Sequence, residues 1–80
     1  MKLIDVLRVC NFSGLYMICY IEEEEDPAWD GSPLDTPYWI ADCELNTNNG
    51  YGEPIDYRPD LGENYNHRPG LVICLKDKEV

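Results

Sequence analysis

Three residue types in this chain could do chemistry: carboxylates, cysteines and a single histidine. The 16 carboxylates make paired-carboxyl acid–base work the first chemistry to weigh. Such a site needs titratable groups gathered in a water-poor pocket. A chain of 80 residues builds one modest core and has little left to wall a pocket. His67 stands alone in a polar stretch between Asn66 and Arg68. Ser32 lies in Asp30-Gly31-Ser32-Pro33, which lacks the G-x-S-x-G elbow of a serine nucleophile. Gly50-Tyr51-Gly52 is followed by no lysine and is no phosphate loop. Asp26, Asp30 and Asp35 surround a glycine, but a calcium loop counted from Asp26 meets Ala28 at position 3 and Pro37 at position 12. The cysteines, Cys10, Cys19, Cys43 and Cys74, include no C-x-x-C pair for zinc or redox work. The expectation is a protein that is not an enzyme, with no cofactor and no metal site.

The cysteines sit instead in stretches that carry apolar residues, Val9-Cys10, Ile18-Cys19, Ile40-Ala41-Asp42-Cys43-Glu44-Leu45 and Ile73-Cys74-Leu75. Free cysteine behaves as a small, often buried hydrophobe, so all four read as reduced core residues; their even number leaves a disulfide framework as the alternative. The start, Met1 to Cys10, carries Asp5 and Arg8 and has no continuous apolar stretch, unlike a signal peptide. No run reaches the 18 apolar residues of a membrane span. The cytoplasm is the expected compartment.

The net charge is −10, and it is segmental. Residues 22–63 hold 13 acids and one base, Arg58, while residues 1–21 and 64–80 each sum to +1. Phosphate binding needs clustered lysine and arginine, so direct nucleic-acid binding is not expected, and the same sign argues against anionic membranes. The concentrated charge is either a solubility device or a surface for a basic partner.

These residues need elements to position them. Leu3, Leu7 and Cys10 recur at helical spacing and predict a helix over 2–10. Residues 15–22 predict a strand, with Leu15, Met17, Cys19 and Ile21 on one face and Tyr16, Ile18 and Tyr20 on the other. Residues 27–37 hold three prolines and predict no regular element. Residues 38–45 predict a half-buried strand with Trp39, Ala41, Cys43 and Leu45 inward. Asn49-Gly50 is a hairpin signal, with Ile55 to Arg58 as the partner strand. Residues 59–70 predict a second polar loop and 71–76 the last strand. The expected fold is α+β: one domain over 1–80, a short N-terminal helix packed on a three- to four-stranded antiparallel sheet, with two long acidic loops.

Acids and aromatics then fall together. Glu22, Glu23, Glu24, Glu25 and Asp26 form an unbroken run, followed by Trp29, Asp30 and Asp35. Asp56, Asp60, Glu63 and Tyr65 form a second group. Trp and Tyr are enriched at interfaces, so these twelve are the candidate partner-binding residues; Trp29 could instead tuck back on the sheet edge, and Trp39 reads as core. Were the run to continue the strand, its acids would recur every ~3.3 Å, close to the spacing of phosphates along a DNA strand.

The opening Met1 to Cys10, with the turn and apolar strand after it, resembles small proteins of phages and mobile elements in Gram-positive gut bacteria, most firmly over residues 1–21. Size, acidity and the lack of catalytic motifs also resemble anti-CRISPR proteins. That resemblance implies an inhibitor that occupies a nucleic-acid-binding surface by DNA mimicry, with a type II (Cas9-type) nuclease as partner. Such nucleases read the PAM with arginines, which carboxylates can engage. The alternatives are an accessory interaction protein without mimicry and a small-ligand or metal binder.

Overall fold

Residues 15–22 do form a strand, β1 (Tyr16–Ile21), and the rest of the molecule is arranged around it. The computed structural model describes residues 1–12, 14–22, 24–47 and 53–77. The chain runs through α1 (Leu3–Val9), β1, β2 (Trp29–Gly31), a 3-10 turn (Pro33–Asp35), α2 (Tyr38–Ala41), β3 (Ile55–Arg58), a second 3-10 turn (Glu63–Tyr65) and β4 (Gly70–Leu75). This is an α+β fold. None of the described helices is long and apolar enough to cross a membrane.

The sheet order is β2-β1-β4-β3. The expected all-antiparallel sheet is corrected at its centre: β1 and β4 run parallel, Tyr16 opposite Gly70 through Ile21 opposite Leu75, and only the edge strands pair antiparallel. A parallel pair needs a long crossover; here it is the whole of residues 22–69, which contains both edge strands. β3 pairs with β4, and not with residues 38–45 as a local hairpin would require. The Asn49-Gly50 turn lies outside the described residues.

Residues 38–45 are the second correction. Their expected strand is one helical turn, α2, entered from an extended Pro37, followed by single bridges of Glu44 to Lys2 and Leu45 to Leu75. A short apolar run does not distinguish strand from buried helix by period alone. The helical turn sends Ile40 and Ala41 inward and leaves Trp39 51% exposed, so Trp39 is not core. Residues 27–37 are also more regular than expected, holding β2 and a 3-10 turn.

Strand periodicity places Met17, Cys19, Leu71, Ile73 and Leu75 on one face, where they form a single buried cluster with Leu3, Val6, Ile40, Cys43 and Leu45. The helices therefore cover one face, as expected. α1 is held at its start by Leu3 N–H donating to the Cys43 carbonyl (3.0 Å) and by Asp5 accepting the Lys2 backbone N–H (3.0 Å). Lys2 Nζ also donates to Asp42 Oδ1 (2.8 Å), which raises the lysine pKa.

Gly70 opens β4 where β1 and the Leu61 side chain approach it closely. A Cβ there would stand 2.6 Å from the Tyr16 carbonyl oxygen and press into the Leu61 side chain. Gly70→Ala is expected to destabilise the fold by about 1–3 kcal/mol through overpacking. A lower urea midpoint with an unchanged slope would agree; an unchanged midpoint would mean that β4 does not meet β1 in this register.

Candidate protein-binding surface

The acidic run begins where β1 ends. Glu22 N–H still donates to the Leu75 carbonyl (2.9 Å), and Glu24 N–H turns back to that of Ile21 (3.1 Å). The strand therefore does not extend through residues 22–26, and the phosphate-like spacing of an extended acidic strand is removed. Glu22, Glu24, Glu25 and Asp26 are exposed on this bend; Glu23 lies outside the described residues. Asp35 is exposed in the 3-10 turn that follows β2. Because β2 runs antiparallel to β1, Asp35 comes off at the opposite end of β1, ~20 Å away for six strand residues. Among the described residues no cation pairs with Glu24, Glu25, Asp26, Asp35 or Glu63.

β2 separates Trp29 from Asp30. Trp29 sits opposite Cys19 and Asp30 opposite Ile18, so the two side chains take opposite faces of the sheet. The Trp29 ring packs against the core cluster and lies over Gly31, where a Cβ would meet ring carbon Cζ2 at 2.8 Å. Trp29 is thus a half-buried anchor of the sheet edge and shares no surface with the carboxylate beside it.

Asp30 instead joins a cluster on the face away from the helices. Tyr16 Oη donates to Asp30 Oδ1 (3.2 Å) and Tyr65 Oη donates to Asp30 Oδ2 (3.2 Å). The two tyrosine rings lie 5.4 Å apart, tilted by 48°. The Arg68 guanidinium stands over the Tyr16 ring, 5.0 Å from its centre. Burial first, and then the Asp30 charge, raise the pKa of both phenols. Tyr20 shares this face and acts electrostatically on Tyr65. Sequence periodicity placed Tyr16 and Tyr20 together, but residue type and spacing gave no sign that Tyr65 and Arg68 join them.

The loop carrying Tyr65 and Arg68 is built by its own backbone. Leu61 N–H donates to the Arg68 carbonyl (3.0 Å), and His67 N–H to that of Gly62 (3.0 Å). Gly62, Asn66 and His67 all have positive φ. Asp60 accepts the Gly62 N–H (2.8 Å) and lies 3.1 Å from His67 Nδ1; the Gly62 contact first, then His67, lower its pKa. Asp56, on β3, accepts from Arg58 Nε (2.6 Å). Glu63 is exposed on the 3-10 turn beside Tyr65. Of the twelve expected residues, only Asp30 and Tyr65 are in contact here; the other described ones are spread over the sheet ends, its edges and this loop.

A further surface escaped the sequence reading. Leu34 is 92% exposed and Tyr38 80% exposed, and with Trp39 they crowd one short segment. Leu34 also rims a groove of about 320 Å³ with Leu7, Cys10, Phe12 and Pro33.

A scan against protein-family models and searches of curated proteins and of solved structures found no match.

All four cysteines are free thiols, but only Cys19 and Cys43 are buried; Cys74 is half-buried and Cys10 exposed, so Cys10 is not core. The helix ends one residue earlier than expected, at Val9, and leaves Cys10 beyond it as the C-cap. Burial, with Cys43 and Asp30 adding, pushes the Cys19 thiol up to about 12. Native alkylation at neutral pH is expected to label Cys10 first and Cys19 only on unfolding; early labelling of Cys19 would contradict its place in the core.

A carboxyl whose pKa is lowered in the fold contributes stability above the usual carboxylate value, about 3.9, and loses it as pH falls through its folded value. The Gly62 amide resonance is therefore expected to hold its position down to about pH 4 and to shift below it. Asp60→Asn should abolish that acid transition; persistence of the transition in the variant would assign it elsewhere.

Proposed function

We propose that this protein acts by binding, and that its partner is a protein with a basic surface of the kind that otherwise holds a phosphate backbone. The observation that carries this reading is the set of exposed carboxylates at Glu24, Glu25, Asp26, Asp35 and Glu63, for which the described residues supply no cation. Uncompensated like charge destabilises a compact chain, so a small domain that keeps it gains from an external counter-charge. An inhibitor that blocks a nucleic-acid-binding surface is the specific form of this reading, and an arginine-reading type II CRISPR nuclease is the partner to try first.

The test is binding kinetics against the purified nuclease at low and moderate salt. Affinity is expected to fall steeply with ionic strength. The variant Glu24→Gln, Glu25→Gln, Asp26→Asn should fold normally and associate roughly tenfold more slowly at low salt. Salt-independent binding would instead favour a second reading, an accessory interaction protein held by apolar contacts, which the exposed Leu34, Tyr38 and Trp39 support. On that reading Trp39→Ala would weaken binding by about 2 kcal/mol, mainly by faster dissociation.

A further inference from the structure

The sheet face away from the helices offers chemistry more specific than negative charge. Alternation brings Tyr16, Ile18 and Tyr20 of β1 to this face, next to Asp30 of β2 and Val72 of β4, which both pair with Ile18. Ile18 is buried. Tyr16, Tyr20, Tyr65 and Val72 are each half-buried, and Asp30 is exposed. The result is an aromatic platform with a carboxylate at its edge.

A guanidinium suits such a platform better than an ammonium does. It is planar, stacks on aromatic faces and donates in a fork that fits a carboxylate. The molecule supplies its own example: Arg68 stands 5.0 Å over the Tyr16 ring, is itself exposed, and makes no ion pair among the described residues. The tyrosine ring, without a direct carboxylate partner for Arg68, is what receives this arginine.

We propose that the platform of Tyr16, Tyr20 and Tyr65 with Asp30 is the docking surface for an arginine-bearing segment of the partner protein, and that Arg68 is the internal stand-in which that arginine displaces. The inference rests on the reading that the partner is basic and adds where it docks and which cation it presents. Displacement leaves Arg68 free at the rim of the loop, while the incoming guanidinium takes the Tyr16 face and reaches the outer side of Asp30.

The test uses the full chain, isotope-labelled, titrated with a hexa-arginine and a hexa-lysine peptide and followed by NMR. The arginine peptide is expected to shift the resonances of Tyr16, Tyr20, Asp30 and Tyr65, and to bind roughly three- to fivefold more tightly than the lysine peptide, the preference an exposed cation–π contact supports. Arg68→Gln should raise the arginine-to-lysine affinity ratio further, because it vacates the Tyr16 ring. Reading the ratio cancels the gain both peptides receive from removing one positive charge. Should the variant loosen the loop, the wild-type map and ratio still decide. Equal affinities for the two peptides, or shifts confined to residues 22–26, would overturn the platform and leave the basic-partner reading standing. Binding of neither peptide would remove both.

Discussion

The parallel pairing of β1 with β4 is the constraint on which the rest of this structure depends. It joins two apolar strands from the two ends of the chain, and everything between them must leave the sheet and return. Antiparallel edges grow on either side of that pair, while residues 40–45 are drawn over the core face to meet α1. Lys2 bridges Glu44, and Leu45 bridges Leu75, so the start of the chain, its middle and its last strand close on one another. A small domain has few such closures to spare, and the approach of Gly70 to the Tyr16 backbone marks how closely this one is built.

That constraint also decides where charge can go. The central strands are apolar on both faces, so the acids of residues 22–63 are pushed to the ends and edges of the sheet. Glu22, Glu24, Glu25 and Asp26 are exposed and close in the chain, and their mutual repulsion is a cost to folding. Those nearer the sheet are absorbed by local donors: Asp42 by Lys2, Asp56 by Arg58, Asp60 by the Gly62 amide. The molecule thus has two kinds of carboxylate, some held in its own architecture and some left for solvent or a partner.

Asp30 stands between these kinds. It is exposed, yet it ties β2 to β1 through the Tyr16 phenol and to the 59–70 loop through the Tyr65 phenol. A residue that is at once accessible and architecturally fixed offers a partner a pre-ordered carboxylate, which lowers the ordering cost of binding. The bend at 22–26 serves long-range attraction better, because attraction depends on net field and tolerates loose geometry. On the proposed reading, the acidic bend would draw a basic partner and the aromatic platform would select its arginine.

Several features were legible in the residues themselves. The helix over 3–9, the strands at 16–21, 55–58 and 70–75, the sorting of β1 side chains between two faces, and the segmental charge all follow from local period and composition. Most of the failures share one cause: they concern partners distant in the chain. Parallel and antiparallel pairing use the same alternation, so no local pattern could tell that β1 meets β4 head to head. Residues 38–45 alternate well enough for a strand, but the core face already had its sheet and needed a helical turn against α1. Trp29 and Trp39 exchanged their expected roles for the same reason, since burial of each was decided by the neighbour it met, Cys19 for Trp29 and solvent for Trp39. The grouping of Tyr16, Asp30, Tyr65 and Arg68 unites three separate chain segments, and it exists only because the 22–69 crossover returns to the sheet where it does. The sequence alone determined what these residues are able to do; tertiary packing decided which of them meet, because long-range pairing depends on which apolar faces remain to be covered and not on any residue's neighbours in the chain.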